Sequence, residues 1–383
     1  MLAICSDLDE TADAQVYAEQ MRFLNTREQT TMGAGVGLEV GNSIYFDMPP
    51  GQFAYWNTDD AGREMARALI RSGHIDCLHS YGDLAVSRAH VERALQELEH
   101  HQLALKVWID HAQAPTNFGA DIMQGHGDEP GHAAYHADLT LRHGVRYVWR
   151  GRVTSVIGQN TEASFGGLWQ AASPLASGKT ILKEAAKQVL GHAGHEKYRA
   201  HAGNRLLHPS SLRDGQPAVE FLRCNPHPAG VDTGDTGAGL GEVLTARFLD
   251  QLVEREGVCL LYTHLGKLPG RVFPEATIRA LRLLKQYSDE GKILVTTTRR
   301  LLDYVRVTES PSLTATENAG VLRITCDPAW TNEELQGLTI YTSTDVNELR
   351  VNGRAIPMQC NPADETGQAN VSMVWQPLSF PAI

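Results

Sequence analysis

Short apolar runs recur along the chain, and their last residues turn ionisable: LAICSDLDE at the start, then DCLHSYGD, VWIDH, VWRGR and CLLYTHLG. Strands buried on both faces read apolar throughout, and in parallel α/β folds the chemistry collects at their carboxyl ends. The pattern predicts strands over Leu2–Ser6, Gly37–Phe46, Asp76–His79, Ala104–Ile109, Val145–Trp149, Ala218–Leu222, Val258–Thr263 and Ile293–Thr297. Between them, Val91, Leu95 and Leu98 repeat at helical spacing, as do Leu244, Phe248 and Leu252, each set defining one buried stripe. Strands alternating with helices imply parallel pairing through crossovers. The expected fold is therefore α/β, a (β/α) barrel of seven or eight strands over residues 1–307.

After the TESPSL stretch the pattern changes to short strands and turns, VLRITC, LTIYTS, ELRVNGRAI and VSMVWQ, with Asn352-Gly353 a hairpin signal. This predicts a small C-terminal all-β module over residues 314–383. Two stretches interrupt the alternation: a His- and Gly-rich segment from Pro115 to His143, and Thr154 to Pro217, which holds one helix over Lys179–Leu190. Loops beyond about 12–15 residues tend to be functional, which makes both candidate insertions around a substrate groove.

Composition narrows the function. The 34 Lys and Arg against 45 Asp and Glu give a formal charge of −11, which disfavours a phosphate-tracking nucleic-acid binder. Six widely spaced cysteines without a CxxC argue against a disulfide frame or zinc ribbon. No apolar stretch is long enough to span a bilayer, and Met1 runs directly into the first strand, so the expectation is a soluble, cytoplasmic protein.

The ionisable ends of the strands carry the chemistry. Asp7 and Asp9 stand two residues apart, on one side of an extended chain, and two carboxylates so close call for a cation. The structural alternative has Asp9, Glu10 and Thr11 capping a helix over Ala12–Met21. His79 ends the third strand, and Asp83 stands four residues on, able to share its target if the loop takes a helical turn. Imidazole with carboxylates suits zinc, with manganese, cobalt or iron(II) as alternatives. His111, ending the neighbouring strand, is a catalytic candidate and the alternative ligand. Asp110 and Asn117 form a polar cluster with it, and Arg150 and Arg152 follow the fifth strand, where a guanidinium can orient a carboxylate or grip substrate. Trp149 stacks on a sugar face or belongs to the core. Among the loop histidines, His136 with Asp138 is the leading pair for a second metal site.

SDLDE, HSYGDL and LLYTHLG, in that order, resemble the motifs of the NodB-homology polysaccharide deacetylases, carbohydrate esterase family four, over roughly residues 1–305. The resemblance implies a distorted (β/α) barrel that hydrolyses acetyl groups from a polysaccharide or amino-sugar glycan. It implies Asp7 as catalytic base, His264 as catalytic acid, and Asp9 and His79 as metal ligands. Two departures stand out: Asp83 occupies the position of the family's second metal histidine, and WIDHAQAPTNFG replaces its Arg-x-Pro-Tyr motif. The alternatives are another metal-dependent barrel hydrolase and a non-catalytic carbohydrate-binding relative. An amidohydrolase would show H-x-H where this chain has Asp-Leu-Asp, and a glycosidase would need two carboxylates ~5–9.5 Å apart across the cleft.

Overall fold

A computed structural model describes residues 1–363 and 367–383, with the side chain of Asp9 outside the described residues. The chain divides into two compact units, one of residues 1–299 with 379–383 and one of residues 300–378.

The first unit is built on an eleven-stranded sheet. In chain order its strands are β1 (Leu2–Ser6), β2 (Asn42–Ile44), β3 (Ile75–His79), β4 (Val107–Ile109), β5 (Tyr147–Trp149), β6 (Val153–Thr154), β7 (Leu207–Ser211), β8 (Pro217–Phe221), β9 (Arg223–Cys224), β10 (Cys259–Thr263) and β11 (Val295–Thr296). They pair in the order β6-β9-β10-β1-β2-β3-β4-β5-β8-β7, with β11 also on β1. Every pairing is parallel except the β7–β8 hairpin at one edge. Crossover helices connect the strands, among them Ala14–Asn25, Asp60–Arg71, Arg88–His100 and Glu275–Asp289. The first starts at Asp13, whose carboxylate accepts from the Val16 amide at 2.9 Å, so the cap lies beyond Asp9, Glu10 and Thr11.

The sheet curls but does not close, which corrects the expected barrel. Pro217–Cys224 is almost one extended run, yet β8 pairs with β5 while β9 pairs with β6 and β10. At the junction the Leu222 amide still donates to the Leu206 carbonyl, in the register of the β7–β8 hairpin, whereas the Arg223 amide donates to the Arg152 carbonyl, so the chain changes partners between these two residues. The first strand has its predicted bounds and the third gains Ile75, but only Asn42–Ile44 of the predicted Gly37–Phe46 is strand.

One apolar core seals the sheet, from Leu2, Ile4 and Leu261 on strands to Leu69, Leu95, Leu249 and Leu281 on helices. Each such side chain, fully buried, contributes about 1.5–3 kcal/mol. The predicted stripe of Val91, Leu95 and Leu98 is buried on Arg88–His100, and Phe248 and Leu252 are buried on Ala246–Glu254, with Leu244 buried just before it.

The second unit begins inside the helix Thr298–Thr308, so it carries helix as well as strands. A four-stranded and a three-stranded sheet enclose Leu322, Ile324, Leu349, Val351, Val371 and Met373. Asn352 (φ 47°) and Gly353 (φ 82°) turn Glu348–Val351 into Arg354–Ile356 as a hairpin, both residues taking the positive φ that such a two-residue turn requires. No helix among the described residues is long and apolar enough to cross a membrane.

Candidate active site

Asp7 follows β1 directly and is 2 % exposed. Three cationic or imidazole groups surround it: Arg223 Nη2 at 3.5 Å, His264 Nε2 at 3.5 Å and His79 Nδ1 at 3.9 Å. Arg223 opens β9, His264 follows β10 and His79 ends β3, strands that the sheet order sets around β1. Burial alone would raise the Asp7 pKa, but His79, Arg223 and His264 outweigh it and bring it down to about 2. Asp7 is therefore a carboxylate throughout the neutral range.

His264 is braced from behind by Asp235. The Asp235 carbonyl lies 3.0 Å and its carboxylate 3.3 Å from His264 Nδ1. A parallel bridge between Thr236 and His264 fixes this approach. Burial works against a charge on His264, yet Asp235 and Asp7 prevail and raise its pKa above the ordinary value. Tyr262 Oη, 3.3 Å from Nε2, adds a further polar contact.

Arg223 is wholly buried, and none of its guanidinium nitrogens has a hydrogen-bond partner among the described residues. Its guanidinium lies 4.0 Å above the Trp149 ring and 5.5 Å from that of Tyr262, with Asp7 beside it. A delocalised cation stacked on aromatic faces tolerates such a place better than an ammonium would.

His79 sits on the other side of Asp7. Its ring stacks on Tyr45 (4.2 Å, 16°) and meets His111 edge to face at 4.9 Å. Burial lowers its pKa to about 3, which keeps the imidazole neutral. The loop after it does not form a helical turn: Ser80, Tyr81 and Gly82 all take positive φ, a costly run for a buried tyrosine. A Cβ at Gly82 would lie 2.2 Å from the Asp47 carbonyl oxygen, so only glycine fits there. This turn carries Asp83 to His111, whose Nδ1 it meets at 2.9 Å, rather than to a point shared with His79.

His111 is therefore the second imidazole of the cluster. The Asn117 side chain accepts from the His111 amide and donates to its carbonyl, fixing the backbone. Glu10 Oε1 lies 3.8 Å from His111 Nε2 and 3.2 Å from Lys267 Nζ. Burial disfavours the His111 cation, but Asp83 and Glu10 outweigh it and lift the pKa to about 9.

Five predicted site residues are taken up by the scaffold. Asp110, 1 % exposed, accepts from Trp108 Nε1 and the amides of Phe118 and Gly119, and burial pushes its pKa up to about 7. Trp149, 1 % exposed, lies beneath Arg223 and offers no face to a sugar. Arg150 pairs with Glu220 and Ser210, and Arg152 with Asp121, so Arg223 is the guanidinium that reaches Asp7. Asn117 positions His111 rather than facing substrate. His136 is buried between Thr116 and Thr140 while Asp138 binds Arg88, which removes that pair as a second metal site.

Arg223 and Asp235 are not among the expected site residues, and Glu10 enters there only as a capping acid. Arg223 obeys the same strand-end rule as Arg150 and was discoverable by it. Asp235 lies in a Gly-rich loop, where nothing local distinguishes it from a solvated acid.

The donor types suit a divalent ion: two adjacent imidazoles, with Nδ1 of His111 held by the Asp83 carboxylate and Nε2 left as the ligating nitrogen once its proton is released. Asp9, the predicted carboxylate ligand, has its side chain outside the described residues. Among the described residues no three His, Cys, Asp or Glu side chains form a metal-holding group. Comparison of the chain with family models, with curated proteins and with solved structures finds no match.

Proposed function

We propose that the chain is a metal-dependent hydrolase that removes acetyl groups from an amino-sugar or other acetylated glycan. The observation that carries this reading is the buried Asp7 carboxylate facing His264, with Arg223 against the first and Asp235 behind the second. A carboxylate base opposite a cationic imidazole is what acyl transfer to water needs.

Asp9, His79 and His111 would hold the ion, with zinc first and manganese, cobalt or iron as alternatives, while Asp83 orients His111 rather than ligating. Bound there, a divalent ion would polarise the acyl oxygen and make water acidic enough for a weak base to deprotonate. That help matters, because a carboxylate with a pKa of about 2 is a poor base alone. Asp7 takes the proton of the attacking water, and Arg223 holds its orientation. His264, whose pKa Asp235 and Asp7 raise, donates its Nε2 proton to the departing amine or alcohol.

A second reading is a glycan-binding relative without chemistry, which Asp83 favours: it stands where the resembled family has its second metal histidine and binds His111 instead. Acetate release from N-acetylated chitooligosaccharides and O-acetylated sugars, with each metal in turn, separates the two. Turnover that disappears in Asp7→Asn supports the hydrolase; glycan binding without acetate from any of these supports recognition alone.

A further inference from the structure

The helix Pro174–His192 is amphipathic in the opposite sense to a helix that serves only its own core. It buries Ser177, Thr180, Glu184 and Gly191, while Leu175 is 90 %, Leu182 73 % and Val189 68 % exposed. These three recur at every seventh position and so lie on one face. Leu190 and, just upstream, Trp169 are also exposed.

The polar face is locked inward by specific bonds. Thr154 and Lys187 both donate to the buried Glu184 carboxylate, at 2.8 and 2.7 Å. Lys187 also reaches the Val153 carbonyl at 2.9 Å, and Thr180 the Pro228 carbonyl at 2.8 Å. Turning the leucines inward would break a buried ion pair, so their outward orientation is built into the fold. Contiguous apolar surface of this kind marks an interaction site.

Charge decides what covers it. Lys179 and Lys183 are exposed, and neither has an ion-pair partner among the described residues. Residues 174–205 carry six Lys and Arg against two Glu, within a chain of net charge −11. Heptad spacing would also suit pairing with a second copy, but that would set these lysines against their own counterparts. Glu184, the helix's one acid, is buried and cannot offset the repulsion.

We propose that this face docks on an anionic lipid surface. Leu175, Leu182 and Val189 enter the boundary of the acyl chains, while the stems of Lys179 and Lys183 lie along the helix and carry their ammonium groups to the headgroups. Trp169 has the amphipathic ring that settles at such an interface. The helix is tied to Thr154, the last residue of β6, and to Pro228 in the segment after β9, at the carboxyl ends of the sheet where Asp7 and His264 also lie. The docked face and the candidate site therefore belong to the same side of this unit.

The test is co-sedimentation of the full chain with phosphatidylcholine vesicles, with and without phosphatidylglycerol. Binding is expected to the anionic vesicles and to weaken with salt. Lys179→Glu with Lys183→Glu should reduce it about tenfold or more. Leu182→Ser with Val189→Ser should abolish it at unchanged circular dichroism, since these side chains support nothing beneath them. No binding to anionic vesicles, or equal binding to neutral ones, overturns the proposal. A concentration-dependent dimer that Leu182→Ser dissolves, without vesicle binding, replaces it with self-pairing.

Discussion

His79 and His264 both end strands of one sheet and both face Asp7, yet their surroundings set them to opposite states. His79 is packed between Tyr45 and His111 and stays neutral, so in the proposed ligand role it would bind without first losing a proton, whereas His111 would have to release one. His264 is flanked by Asp7 and Asp235 and is biased toward the cation, as a general acid must be. The residue type is the same, so the division of labour comes from what each ring touches.

The comparison is broken most severely by removing its shared member. Asp7→Asn, or His264→Gln, should lower kcat for acetate release by about 10²–10⁴-fold. Glu129→Gln, at a half-exposed loop acid paired with His126 and Arg213, should leave turnover unchanged. If the Asp7 and His264 variants retain near-normal turnover, the acid–base half of the account fails.

Arg223→Met tests the buried pairing. Breaking one partner of a buried ion pair costs about 3–5 kcal/mol, so urea unfolding should show a loss of that order. Adding Asp7→Asn should restore part of it, because the stranded carboxylate is then gone. An additive double variant would show that the two groups do not interact.

On the His79 side, Asp83→Ala should weaken metal affinity by about 10–100-fold through loss of the carboxylate behind His111, with kcat recovering at saturating metal. An unchanged affinity, read by chelator competition, would remove His111 from the ligand set.

Asp235→Asn gives the smallest effect and the clearest sign. The folded pKa of His264 lies above its unfolded value near 6.5, so the stability it contributes is fully present below that pH and is lost as pH rises through the folded pKa. The active acid is lost over the same range. Without the Asp235 carboxylate the basic limb of the kcat profile should move toward lower pH, while the maximal rate changes by less than about tenfold.

Much of this arrangement is legible in the chain. The apolar runs ending in Asp7, His79, His111 and His264 announce parallel strands with chemistry at one end, because a strand buried on both faces has nowhere else to put a charge. Arg223 ends such a run too. What stays hidden depends on contacts between distant segments. Within one apolar run the chain changes partners, Leu222 staying with Leu206 of the hairpin and Arg223 moving to Arg152, and neither residue signals it. Asp83 turns to His111 because three consecutive residues adopt positive φ, which a helical-spacing argument does not anticipate. Trp149 and Asp110 look like site residues at strand ends, but their rings and oxygens are used up by Arg223 and by the amides of Phe118 and Gly119.

The most direct test of the contrast is a titration of the imidazoles by NMR in the metal-free chain, with Asp7→Asn and Asp235→Asn alongside. The account predicts that His264 titrates above pH 6.5 and moves down in both variants, while His79 stays neutral across the range where His264 gains its proton. A His264 that titrates at or below its ordinary value, indifferent to Asp7 and Asp235, would contradict it.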